Sequence, residues 1–232
     1  MNKKALAPLR VLPAAAPVRR VASASREGLI AASVAEFARK GFAGARVDEI
    51  AASAGVNKQL VYHYFGSKQG LYLAALESVY VEIREKERKL SLGELAPVEA
   101  MAQLVGFSFD YLAEHPEFIA LLADENRNKG AHVLESDKLR KMHTPVIDMV
   151  DATLKRGVRD GVFCEDFDAV NLYITIAGIS YFFFSNSHTL SAIFGRKLDS
   201  RAALAQRRRH VIAFTLHALR PGKPLPKGSA RP

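Results

Sequence analysis

Read for the spacing of its apolar positions, this chain is helical almost throughout. From Ser25 to Lys40, Leu29, Ile30, Val34, Phe37 and Ala38 recur every three or four residues and form one apolar stripe. Gly41 follows, and glycine ends helices in the left-handed conformation. Val47 to Ala54 reads as a short helix with Val47, Ile50, Ala51 and Ala54 inward, and Lys58 to Tyr64 as a second. Gly66 breaks the pattern, and Ser67 is placed to cap a long helix from Lys68 to about Leu90. Beyond Gly93 and Pro97, helices are predicted at 97–114, 116–128, 134–159, 168–187 and 199–219, punctuated by His115-Pro116, Gly130, Gly161 and Gly195. No alternating run of β-branched residues bounded by turns occurs, so the fold class expected is all-α.

The two short helices are separated by Gly55-Val56-Asn57. That is the spacing of a helix-turn-helix, in which glycine takes positive φ and lets the second helix cross the first steeply. The second helix, about 10 Å long, fits a major groove about 12 Å wide. Its outward face would carry Asn57, Lys58, Gln59, Tyr62 and His63, side chains able to meet base edges and phosphates. Lys68 lies in the first turn of the next helix, where free backbone N–H groups already favour a phosphate. On spacing alone, the alternative is a three-helix packing unit with a polar surface.

Charge placement sharpens this picture. Residues 1–25 carry five Lys/Arg and no acid, and residues 26–70 carry six against four. Residues 71–219 carry 18 against 20, and the last thirteen residues add four more basic ones, for a net charge of +9. A basic head on a near-neutral body suits a polyanion partner. The apolar run Leu172–Phe184 falls short of the roughly 18–20 residues that span a bilayer, so no membrane partner is expected. The N-terminus lacks the apolar stretch of a secretory signal and is broken by Pro8, Pro13 and Pro17. It reads as a disordered basic tail, and the location expected is cytoplasmic. A lone Cys164 allows no internal disulfide and no thiolate cluster. His115, Asp124, Glu125 and His132 lack the spacing of helical metal-ligand pairs, and neither a phosphate loop nor a nucleophile elbow occurs. No catalytic residue, metal or cofactor is therefore expected. A helical enzyme and a non-sequence-specific nucleoid-type DNA-binding protein are the rival readings.

The run from Gly41 through Ala51, then Ala54-Gly55-Val56-Asn57-Lys58-Gln59-Leu60-Val61-Tyr62-His63-Tyr64-Phe65 and Gly66-Ser67-Lys68-Gln69-Gly70-Leu71-Tyr72, closely resembles the DNA-binding domain of TetR-family (TetR/AcrR) regulators. The match covers about residues 26–75. The resemblance implies that Arg46 reaches phosphate or a base edge, and that Lys58 and Gln59 face bases. It further implies that Tyr62 and His63 touch the backbone and that Lys68 clamps phosphate. Ala45 stands where the family often has Thr or Ser, which removes a cap worth on the order of 1 kcal/mol. The segment Gly44-Ala45-Arg46-Val47 is similar to the branch holding pyrimidine-responsive RutR-type regulators.

The resemblance implies a sequence-specific regulator, by the family's commoner habit a repressor, that leaves a palindromic operator when a small-molecule effector binds. The domains expected are a tail at 1–24, the helix-turn-helix domain at 25–70, a ligand-binding and dimerisation domain at 71–220, and a disordered tail at 221–232. The helices at 168–187 and 199–219 resemble the pair through which family members form a four-helix dimer bundle. Ile174, Gly178, Phe182, Leu204, Val211, Ile212, Thr215 and Leu219 are the interface residues expected. Phe182-Phe183-Phe184 is apolar on all sides, so its helix should be covered on more than one face. Phe107, Tyr111, Tyr173 and Tyr181 are candidates for an aromatic pocket wall, with Glu125 and Asn126 as its polar groups and His132 and His143 behind them. Arg207-Arg208-Arg209 reads as a solvated face. The effector, the operator and the direction of regulation are not legible.

Overall fold

The computed structural model describes residues 17–142 and 144–222, with side chains from Ser25 onward. The tail expectations for 1–16 and 223–232, and His143, lie outside the described residues. Among the described residues all regular structure is helical. The helices are α1 (Pro17–Gly44), α2 (Val47–Ser53), α3 (Lys58–Phe65), α4 (Lys68–Arg88), α5 (Pro97–Glu114) and α6 (Pro116–Arg127). They continue with α7 (Ala131–Glu135), α8 (Asp137–Lys141), α9 (Thr144–Arg159), α10 (Ala169–Ser185), α11 (Ser187–Phe194) and α12 (Arg201–Leu219). A 3₁₀ turn at Leu92–Glu94 joins α4 to α5.

Most boundaries follow from local chemistry. Ser67 caps α4 by accepting from the Gly70 N–H at 3.0 Å, and Asp168 caps α10 by accepting from Val170 and Asn171. Pro97 and Pro116 open α5 and α6, where no N–H is needed. Three segments differ from the pattern-based expectation. Helix α1 begins at Pro17, ahead of Ser25. The helix expected at 134–159 is three helices, because Gly130 turns left-handed before α7 and Ser136 caps α8 through the Leu139 N–H. The stretch after Ser185 re-forms as α11, whose apolar residues Ile193 and Phe194 are exposed and so gave no inward stripe to read.

Two apolar cores hold the chain. The first joins Leu29 and Phe37 of α1, Ile50 of α2, Val61 of α3 and the α4 stripe Leu71, Tyr72, Leu76 and Val79 to Tyr111, Phe118 and Leu121. The second packs Met101, Leu104 and Phe109 of α5 against Val150, Leu154, Leu172, Ile176, Phe183, Val211 and Leu219. Phe184 touches both. The first core therefore runs without interruption across the boundary expected at residue 70. Of the three phenylalanines, Phe183 is buried, Phe184 half-buried and Phe182 exposed. No described helix is long and apolar enough to cross a membrane.

Candidate functional site

The head is built as its spacing predicts. Gly55 takes φ +67°, and the chain turns from α2 into α3 there. Ile50 and Val61 are fully buried between the two helices. Lys58, Gln59, Tyr62 and His63 share the exposed outer face of α3 with no acid among them, and Tyr62 is 46% exposed. Asn57 also lies there, but its Oδ1 accepts from the Gln59 N–H at 2.9 Å, so this side chain is first of all the helix cap. Arg46 is the N-cap residue of α2, gives no side-chain cap, and is largely exposed beside Asp48 at 3.2 Å. Lys68 is half-buried. Its Nζ donates to the Ala43 carbonyl oxygen at 3.3 Å and lies 5.0 Å from the Phe42 ring centre, so it also ties α4 to the end of α1. Ala45 is buried, a packing position rather than a vacant phosphate contact. Acids on the head are neutralised locally: Glu36 is held near 2, chiefly by Lys40, and Lys40 also pairs with Glu49.

A buried carboxylate ties this head to the body. Asp124 on α6 is 5% exposed. Its Oδ2 accepts from the Phe42 N–H at 2.8 Å and the Tyr72 hydroxyl at 3.0 Å, and its Oδ1 from Arg127 at 2.7 Å. Burial alone would raise this carboxyl, but these donors outweigh it and hold it below the usual carboxylate range. Gly41 breaks α1 at φ +69°, ψ 173°, and a Cβ there would stand 2.7 Å from Asp124 Oδ1. Beside it, Glu125 accepts from the N–H groups of His132 and Val133, and the His132 ring packs on Phe42 and Tyr72 at 4.8 and 4.6 Å. Sequence reasoning weighed Asp124 and Glu125 as ligand or metal groups; here both are spent on internal bonds.

Along the C-terminal half of α4 lies a cavity of about 220 Å³. Tyr80, Ile83, Arg84 and Glu87 form one wall, Leu112, Phe118 and Leu122 another, and Tyr173, Ala177 and Tyr181 of α10 a third. Of the six expected pocket residues, Tyr173 and Tyr181 line it. Tyr111 is buried under His115 with its hydroxyl toward the Val79 carbonyl oxygen, and Phe107 packs into the first core. Glu125 is held by His132, and Asn126 is exposed and donates back to the Leu122 carbonyl oxygen. The residues missed are Arg84 and Glu87, 7% and 2% exposed. Arg84 Nη2 donates to the Tyr173 hydroxyl at 2.9 Å, and Nη1 lies 2.7 Å from Glu87 Oε2. Burial pushes the Glu87 carboxyl up to about 7, against the pull of Arg84. A second cavity, about 180 Å³, meets the same pair from the Met142 and Met149 side.

The outer face of α10 is apolar and open. Val170, Ile174 and Phe182 are 50–59% exposed, and among the described residues nothing outside its own helix turn approaches within 4 Å of a Cβ placed on Gly178. These residues fall at four-residue intervals, one line along the helix. On α12 the structure corrects the expected interface. Val211, Thr215 and Leu219 are buried within the chain, and Leu204 and Ile212 pack on the second core. The stripe facing outward carries Phe214, 54% exposed. The apolar stripe of α12 is spent on α5, and the outward face is mixed, with Gln206, Arg209, His210 and His217 exposed around Phe214. The arginine run is a solvated face only in part. Arg207 donates to the Ile179 carbonyl oxygen and Arg208 pairs with Asp110 at 2.7 Å, whereas Arg209 is exposed.

Comparison with known proteins bears on this arrangement. A family model described as "Bacterial regulatory proteins, tetR family" matches residues 29–75, and one described as "Tetracyclin repressor-like, C-terminal domain" matches residues 97–214. The chain is 34% identical over 199 residues to the HTH-type transcriptional repressor NicS of Pseudomonas putida, covering 86% of this chain and 94% of that protein. The HTH-type transcriptional regulator RutR of Escherichia coli is 25% identical over 87% of this chain and 93% of its own length. The branch suggested by residues 44–47 is thus represented, at lower identity than NicS. Among solved structures, the transcriptional regulator SCO4942 of Streptomyces coelicolor is 28% identical with a TM-score of 0.64, covering 85% of this chain and 99% of that one.

Proposed function

Because this chain belongs to the TetR family of bacterial regulatory proteins, we propose that it represses transcription as a homodimer released from a palindromic operator by a small molecule. The observation that carries the reading is the pairing of an exposed, acid-free reading helix, α3, with a cavity along the long helix α4 that follows it. Lys58, Gln59, Tyr62 and His63 would meet the major groove, with Arg46 and Lys68 on flanking phosphates. A seven- or eight-residue reading helix specifies little by itself. Two heads about a two-fold axis read half-sites set one helical turn, about 34–36 Å, apart. The open line Val170–Ile174–Gly178–Phe182, with Phe214, would be the dimer face.

Release would follow from α4. Arg84 at the cavity and Tyr72 at the head lie twelve residues apart on one helix, about 18 Å. A ligand that prefers one placement of α4 shifts the head through Tyr72, Asp124 and Phe42. Differential affinity for the two placements is the only source of that work. No catalytic step is assigned; the protein would act on DNA in the cytoplasm.

The test is selection of bound duplexes from a random pool, followed by binding to the winner across a range of salt concentrations. A palindrome bound by a dimer supports the reading. No enriched sequence, with affinity that falls only with salt, would replace it with charge-driven nucleoid-type binding.

A further inference from the structure

We infer that the cavity between α4 and α10 takes a small one-ring organic monocarboxylate, its carboxylate held by Arg84 and its ring against Tyr173, Tyr80 and Phe118. This rests on reading the cavity as the effector site and adds the chemistry of the ligand. Arg84 is 7% exposed, yet its Nε has no hydrogen-bond partner among the described residues, and its Nη1 meets the Glu87 carboxylate as an ion pair without an aligned hydrogen bond. A guanidinium is a planar fork of five donors that matches a carboxylate in two-point contact. A donor left buried and unmet is destabilising, and an incoming carboxylate relieves that penalty.

Glu87 is the resident counter-ion, and its hold is imperfect. Its Oε2 stands 2.7 Å from Arg84 Nη1 but outside hydrogen-bonding geometry, and Oε2 also lacks a hydrogen-bond partner among the described residues. A carboxylate free to turn into alignment takes its place. Tyr173 keeps the guanidinium facing the cavity through the 2.9 Å bond, with Arg84 Cζ 5.7 Å from the ring centre.

Size and wall chemistry set the rest of the ligand. A volume of about 220 Å³ is below the roughly 300–1,000 Å³ of pockets for drug-sized molecules. It equals about seven waters at ~30 Å³ each, which one ring and a carboxylate would displace. Tyr80 and Phe118 meet edge to face at 5.3 Å and form an aromatic wall. The Ser108 hydroxyl is spent on the Leu104 carbonyl oxygen. Among the described residues no cation besides Arg84 lines this cavity, so a second carboxylate has no partner among them.

Benzoate and its neutral isostere benzamide test this on the full-length protein by titration calorimetry. Benzoate is expected to bind saturably, benzamide roughly 10- to 100-fold more weakly, and Arg84→Gln to abolish the preference. Equal affinities, or no benzoate binding at millimolar concentration, overturn the inference on the wild-type protein alone, whatever the variant does. Operator release is followed in parallel. Benzoate binding without release keeps the carboxylate and sinks the effector role. Release by benzamide alone, lost in Ala177→Phe, keeps the effector cavity and sinks the carboxylate.

Discussion

Glu87→Gln should remove a pH dependence from the stability of this protein. In the folded chain, burial raises the carboxyl to about 7 against the attraction of Arg84; unfolded, it titrates near its ordinary 4.5. Each unit of that gap is 1.36 kcal/mol, so the whole gap is worth about 3 kcal/mol. The folded value lies above the unfolded one. The contribution is therefore fully present below about pH 4.5, drains away as pH rises, and is gone above about 7. Glutamine keeps the shape of the protonated side chain and never ionises. Wild type and variant should match near pH 4, and the variant should be the more stable by about 3 kcal/mol near pH 8. Urea unfolding followed by circular dichroism, at one fixed protein concentration because dimerisation shifts apparent stability, reads the difference. Two curves running parallel across this range would refute the reasoning. So would a variant weaker by roughly 3–5 kcal/mol at high pH, the signature of losing a net-stabilising buried ion pair.

Four further outcomes are expected. Gly41→Ala places a Cβ against Asp124 at a glycine-only backbone conformation and should cost roughly 1–3 kcal/mol or more in chemical denaturation. Asp124→Ala strands the Phe42 N–H and Tyr72 hydroxyl; it should cost about 3 kcal/mol and uncouple effector from operator in a DNA-binding titration. Ile174→Glu combined with Phe182→Glu puts charge on the open α10 face, and light scattering should report monomers with palindrome affinity reduced to that of a half-site. Lys58→Ala should lower the slope of log affinity against log salt by about one phosphate contact.

The reading head was legible because its determinants are local. Gly55, Gly66 and the Ser67 cap each fix backbone geometry through neighbours within four residues. The cavity was half legible. Tyr173 and Tyr181 stood out as aromatics on an apolar helix, but Arg84 and Glu87 read as ordinary surface charges. The signal was present all the same: both fall on the inward stripe Tyr72, Leu76, Val79, Tyr80 and Ile83, continued at the same spacing. Charges in register with a buried stripe are candidates for burial. The stripe Leu204, Val211, Ile212, Thr215 and Leu219 of α12 packs within the chain, because periodicity shows that a stripe is covered and not whether its own chain or a second copy covers it. The roles of Asp124 and Glu125 depend on Gly41, Phe42 and His132, contacts across the fold that no local pattern encodes.

The Asp124 junction also decides where this protein can be cut and rejoined. Regulators of this kind invite chimeras, with the head of one fused to the sensor of another, and the helix-turn-helix boundary near residue 70 is the obvious splice point. A splice there would leave a buried carboxylate on α6 facing a foreign main chain, with neither the Phe42 N–H placed to donate to it nor the glycine that makes room for it. The portable unit is therefore not the first seventy residues. It is the reading helices α2 and α3 alone, inserted between a retained Gly41-Phe42 and a retained Tyr72, so that recognition can be exchanged while the Asp124 junction stays native.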